Sequence, residues 1–112
     1  MSIDQQAERL RQSITDFVVP LQTTRVVKKS AFESLHASAK QIARELKGST
    51  HVPRALLNEL YGTMQILRAE APYLRGETAN IEAMANQIEM IFGLILQGEA
   101  PEDRRPGVPR VI

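Results

Sequence analysis

The sequence predicts an all-α protein, an antiparallel four-helix bundle followed by an extended, proline-rich C-terminal tail. Two observations carry this. Four stretches repeat apolar residues at alternating steps of three and four, the spacing that stacks side chains on one face of a helix. Helix-starting and helix-stopping residues fall between those stretches, leaving connectors short enough that successive helices must turn back on one another. The chain accordingly divides into a bundle, 1–98, and a tail, 99–112.

The first helix opens on Ser2-Ile3-Asp4-Gln5, the pattern of a capping box, with Asp4 adding charge suited to a helix start. Ile3, Ala7, Leu10, Ile14, Phe17 and Leu21 then follow at heptad spacing. Pro20 falls inside this series and pushes Val19 away from helical geometry, which predicts a stop or kink there. Leu21 to Lys29 reads as a connector, basic in Arg25-Val26-Val27-Lys28-Lys29.

A second capping box, Ser30 to Glu33, is expected to start the second helix, whose seam is Phe32, Leu35, Ala39, Ile42 and Leu46. Lys47 suits its C-terminus and Gly48 ends it. Pro53 fits a first turn, and the third helix carries Leu57, Leu60, Met64, Leu67 and Ala71, with Leu56 and Tyr61 broadening the stripe. Pro72 closes it.

The fourth helix starts either at Thr78, acting as a cap, or near Pro72, tolerating Gly76 at a cost of about 1 kcal/mol. Its seam is Ile81, Met84, Ile88, Ile91 and Ile95, widened by Ala85 and Phe92. Met90, Leu94 and Leu96 make its last two turns apolar nearly all round, so burial on more than one side is expected. Gly98 stands where a left-handed residue is wanted. Prolines 101, 106 and 109 keep the tail extended up to Val111 and Ile112.

Length and composition bound the function. A chain of 112 residues makes one domain, burying about two thirds of its unfolded surface. Its longest near-continuous apolar run, Met90 to Leu96, has seven residues including Gly93, far short of the roughly 20 that span a membrane. The polar N-terminal stretch offers no secretory leader, and cysteine is absent, which excludes disulfides and thiolate chemistry and fits a cytoplasmic protein. Residues 1–60 carry nine Lys/Arg against six Asp/Glu, and residues 61–112 five against seven. That mild asymmetry suits orientation of a partner and falls short of a nucleic-acid footprint.

Motifs for chemistry are sparse. Glu33 and His36 form an E-x-x-H, the spacing that bundles binding two metal ions use in pairs. Only one such motif occurs, and Glu33 falls outside the buried seam, so a helix cap beside a boundary histidine is the expected reading. Glu82 and Glu89 share a face turned away from the apolar stripe. The basic connector lacks aromatics for stacking on bases. Gly62 and Gly93 weaken the helices that hold them, as glycines do where another backbone approaches closely.

Ala43-Arg44-Glu45-Leu46-Lys47-Gly48-Ser49 resembles the active-site segment of histidine phosphotransfer domains, themselves four-helix bundles of this size. The resemblance implies a phosphate-accepting histidine ahead of the Leu-Lys-Gly run. Arg44 occupies that position, so a relative would dock a receiver without carrying phosphate.

The expectation is therefore a non-enzymatic protein–protein interaction module of adaptor, chaperone or immunity type, homodimeric, with no cofactor or metal and no nucleic-acid or membrane partner. Its candidate interface is Met90, Gly93 and Leu94 with the tail residues Val108, Val111 and Ile112. The alternative is the degenerate phosphotransfer-like signalling module.

Overall fold

A computed structural model describes residues 2–103 as four α-helices with no strand among the described residues. The helices are α1 (Ile3–Thr24), α2 (Lys29–Glu45), α3 (Arg54–Glu70) and α4 (Thr78–Gln97). Short 3-10 turns, Ala71–Tyr73 and Pro101–Asp103, follow α3 and α4.

The first helix starts as its sequence requires. The Ser2 hydroxyl accepts the Gln5 N–H at 3.2 Å, and the Gln5 side-chain carbonyl accepts the Ser2 N–H at 3.0 Å. It does not stop at Pro20. Helix α1 continues one turn further to Thr24, and Leu21 is fully buried. Proline removes a single donor, and burial of a leucine on the seam offsets that loss. The Thr23 and Thr24 hydroxyls also donate back to the carbonyls of Val19 and Pro20, at 2.7 and 2.9 Å.

The second capping box does not form. Helix α2 begins at Lys29, after an extended Lys28 that makes no side-chain cap bond. Ser30 thereby lies inside the first turn, past the position from which a hydroxyl caps the first free N–H groups. Helix α2 ends at Glu45, with Leu46 as its cap, earlier than the expected stop at Gly48; Gly48, with φ of 75°, then reverses the chain in the turn that follows.

In α3 the buried line is Leu56, Leu60, Met64 and Leu67 with Thr63, while Leu57 is only partly buried and Tyr61 stands out into solvent. Helix α4 begins at Thr78, after Gly76 turns the chain with φ of 78°. Thr78 caps no N–H; its hydroxyl donates to the Ala71 carbonyl at 2.8 Å. Gly98 takes φ of 71° and ends α4, with the Glu99 N–H closing onto the Leu94 carbonyl at 2.9 Å.

Packing pairs α1 with α2 and α3 with α4 as helical hairpins, then sets α2 beside α4 and α1 beside α3. Ion pairs fix the direction of that second contact. Arg11 meets Glu59 near the starts of α1 and α3, and Arg25 meets Glu70 at their ends, so the two helices run parallel. Likewise the Gly48 N–H donates to the Gly98 carbonyl at 3.0 Å, bringing the C-terminal ends of α2 and α4 together. The two hairpins therefore lie side by side in the same sense, with α1/α4 and α2/α3 on the diagonals. One core fills the space between them, from Leu10, Phe17 and Leu21 through Phe32, Leu35 and Ile42 to Leu60, Leu67, Ile81, Ile88 and Ile91. The Phe17 and Phe32 rings meet in a tilted pair at 5.3 Å.

Candidate functional site

Large apolar side chains remain exposed where the start of α3 runs beside the end of α4. Tyr61 is 51% exposed, Leu96 58% and Met90 37%. The half-buried Phe92 lies 6.1 Å from Tyr61, ring to ring, and Gln65 donates to the Tyr61 hydroxyl at 2.7 Å. Met90, Gly93 and Leu96 follow one another at steps of three along α4, which aligns them on adjacent turns of its outer side. Arg68 closes one margin, bonding Glu89 at 2.7 Å and Asn86 at 3.2 Å across the two helices.

Gly93 sits in the middle of this surface, and a Cβ added there meets nothing within 4 Å. The same holds for Gly62. Among the described residues no backbone approaches either glycine, so the close helix approach expected from the sequence does not occur among them.

The candidate interface divides. Met90 and Gly93 reach the outer surface, whereas Leu94 is fully buried within its own chain. Leu94 is a core residue here: the apolar residues at the end of α4 divide between an inner side, with Ile91, Leu94 and Ile95, and an outer side, with Met90 and Leu96. Val108, Val111 and Ile112 lie outside the described residues.

The beginning of the tail is built into the bundle. Ala100 is buried, and its N–H donates to the Asp103 carboxylate at 2.8 Å, closing the 3-10 turn. Glu102 accepts from Arg44 at 2.5 Å and Asp103 from Lys47 at 2.8 Å, tying the turn to the end of α2. These hydrogen bonds hold both carboxyls below their ordinary range, and the Asp103 carboxylate in turn raises the Lys47 ammonium. Arg44 is thus engaged with the C-terminal turn.

His36 is half-buried and stacks nearly parallel on Phe32, with ring centroids 5.8 Å apart. Its Nε2 is buried without a hydrogen-bond partner, and burial, reinforced by the Lys40 charge, lowers its pKa. Glu33 is exposed, and among the described residues no three His, Asp or Glu side chains gather as a metal site. Glu89 is committed to Arg68.

A groove of about 670 Å³ runs between α1 and α2, lined by polar side chains including Gln6, Arg9, Ser13, Ser34 and Ser38. Histidine is absent from its lining, and Glu45 is the lining carboxylate. Glu45 accepts from the Gln41 side chain at 3.3 Å, and among the described residues no hydrogen bond joins it to a lining serine.

Sequence reasoning missed one cluster. Arg25 of the basic connector stacks over Tyr73, 5.5 Å from its ring centre, and pairs with Glu70. The aromatic absent from the connector is supplied by the opposite turn. Only the parallel placement of the two hairpins, which no local pattern reveals, brings these residues together.

Fold and surface together define an all-α four-helix protein whose distinguishing features are exposed apolar side chains on α3 and α4 and a pinned C-terminal turn. In comparisons with known proteins, no family model, curated sequence or solved structure matches this chain.

Proposed function

We propose that this protein is a non-enzymatic, cytoplasmic interaction module that works by binding protein and self-associates through the outer side of α3 and α4. The observation that carries the reading is the run Met90, Gly93 and Leu96 beside the Tyr61–Phe92 pair. Met90 and Leu96 stand exposed three residues to either side of a helix-interior glycine with open space above it. An exposed helix gains nothing from a glycine, which costs about 1 kcal/mol relative to alanine. A second α4 crossing at Gly93 would use that space and cover Met90 and Leu96 on both copies, a self-complementary two-fold contact.

Light scattering at micromolar concentration tests this. The wild-type chain should be a dimer, and Leu96→Glu should shift it to monomer with helix content unchanged. A wild-type monomer overturns the self-association.

The second reading, a phosphotransfer-derived docking module without its histidine, draws on the four-helix bundle and on the placement of Arg44 at the end of α2. Arg44→Ala should then weaken binding of a receiver domain while leaving dimerisation intact.

A further inference from the structure

We propose that the end of the bundle formed by the two hairpin turns, far from Leu96, is a second docking site, one that takes an acidic protein segment bearing an apolar side chain.

Arg25 organises this end. It is the one non-glycine residue with positive φ, 58°, among the described residues. That left-handed conformation is unfavourable for a residue with a Cβ, and such strain persists where the surroundings hold it in place. Here the left-handed residue closes α1, the Val26 N–H reaching the Pro20 carbonyl at 3.2 Å, while Glu70 pairs with the guanidinium and the Tyr73 ring lies beneath it. The contact joins the α1–α2 turn to the turn after α3 and fixes Tyr73 in position.

Tyr73 is 70% exposed, more than any other large apolar side chain described, and Val26 beside Arg25 is exposed as well. A pre-positioned aromatic gives contact area at low entropic cost on binding. Further cations lie on the same two connections. Lys28 and Lys29 in one turn and Arg75 in the other are exposed and take part in no ion pair among the described residues.

The ligand class follows from the size and charge of this surface. Three cations outside any ion pair among the described residues, on the connections that also carry the exposed Tyr73 and Val26, match a few carboxylates flanking one apolar side chain. A nucleic-acid strand or an anionic membrane would also meet the carboxylates of Glu33, Glu70 and Glu77 at the same end, whereas a short peptide places its charges between them. Carboxylates would pair with Lys28, Lys29 and Arg75, and the apolar side chain would cover the free face of Tyr73 and Val26.

The test is fluorescence anisotropy with a labelled Asp/Glu-rich peptide containing one leucine, run beside a leucine-to-serine control, an oligothymidine and phosphatidylserine vesicles. The peptide should bind at low salt and weaken as salt rises. Lys28→Glu combined with Lys29→Glu should weaken it at least about tenfold. Tyr73→Ala should remove the preference for leucine over serine. All three positions are exposed, so circular dichroism should show unchanged helix content. Leu96→Glu should leave peptide binding intact, which separates this site from the α3–α4 surface. Absence of peptide binding, indifference to these substitutions, loss of binding in Leu96→Glu, or preferential binding of oligothymidine or vesicles overturns the assignment.

Discussion

Ile88 has no accessible surface in the middle of α4, and Ala85 and Ile91 on either side are as fully enclosed. An aspartate there would be an unpaired charge in the core, so Ile88→Asp should lower the free energy of unfolding by about 3–5 kcal/mol. Chemical denaturation measures it. Two neighbours on α4 separate core from surface: Leu94 is enclosed and Leu96 is open. Leu94→Glu should destabilise the monomer heavily, and Leu96→Glu should change monomer stability by under about 0.5 kcal/mol. The run of apolar residues was legible, but which of them faced inward was not, because an all-round apolar turn has no phase to read. His36 gives the residue scale a pH signature. Its pKa is lowered in the fold, chiefly by burial, so the unfolded chain takes up the proton first as pH falls. Stability should therefore fall from about pH 7 toward pH 5, beginning near the ordinary histidine value. Replacing His36 with glutamine should flatten that slope in denaturation curves taken across the range.

Individual helices show where local signals suffice and where packing overrides them. The stop signal Gly98 acts as the sequence predicts because it takes a conformation that only glycine adopts freely, while Gly48 takes the same conformation in the turn after α2 has already ended at Glu45. The Ser2 cap forms and the Ser30 cap does not, although the two motifs look alike. The difference is one of register: α2 already begins at Lys29, after an extended Lys28, so Ser30 falls inside the first turn instead of ahead of it. Pro20 was the strongest breaker in the chain, yet α1 passes through it because Leu21 belongs to the shared core. Pro20→Ala should restore a backbone donor and stabilise the protein by about 1–3 kcal/mol, read as a higher denaturation midpoint at unchanged slope. Gly93→Ala meets no steric obstacle in the monomer and should stabilise α4 by up to about 1 kcal/mol. If two copies cross at Gly93, the same substitution should weaken the dimer, so thermal stability and light scattering would move in opposite directions.

At the scale of the whole molecule, the bundle is tied together at both ends by contacts between hairpins. Arg25 with Glu70 and Tyr73 joins one end, and the C-terminal turn joins the other. The second tie was not legible, because the prolines of the tail point to extended chain and nothing in the sequence marks Arg44 and Lys47 as its anchors. Its chemistry makes it separable from the rest. Glu102 and Asp103 have pKa values lowered by the hydrogen bonds they accept from Arg44 and Lys47. Their contribution is present above the ordinary carboxylate range and lost as pH falls through the lowered values, so acid below about pH 4 should release the turn. Both carboxyls are exposed and screened by solvent, so the effect on global unfolding should be small and should shrink further in high salt. Truncation gives the sharper measurement. Ending the chain after Asp103 keeps the two ion pairs, the buried Ala100 and the Gly48–Gly98 bond, and stability should match the full chain. Ending it after Gly98 removes the ion pairs and exposes the surface that Ala100 covers, and stability should fall by about 1–2 kcal/mol. Equal stability of the two truncated chains would show that the turn rests on the bundle without supporting it. If both match the full chain in stability yet only the full chain dimerises, the self-association depends on residues 104–112, where Val108, Val111 and Ile112 lie.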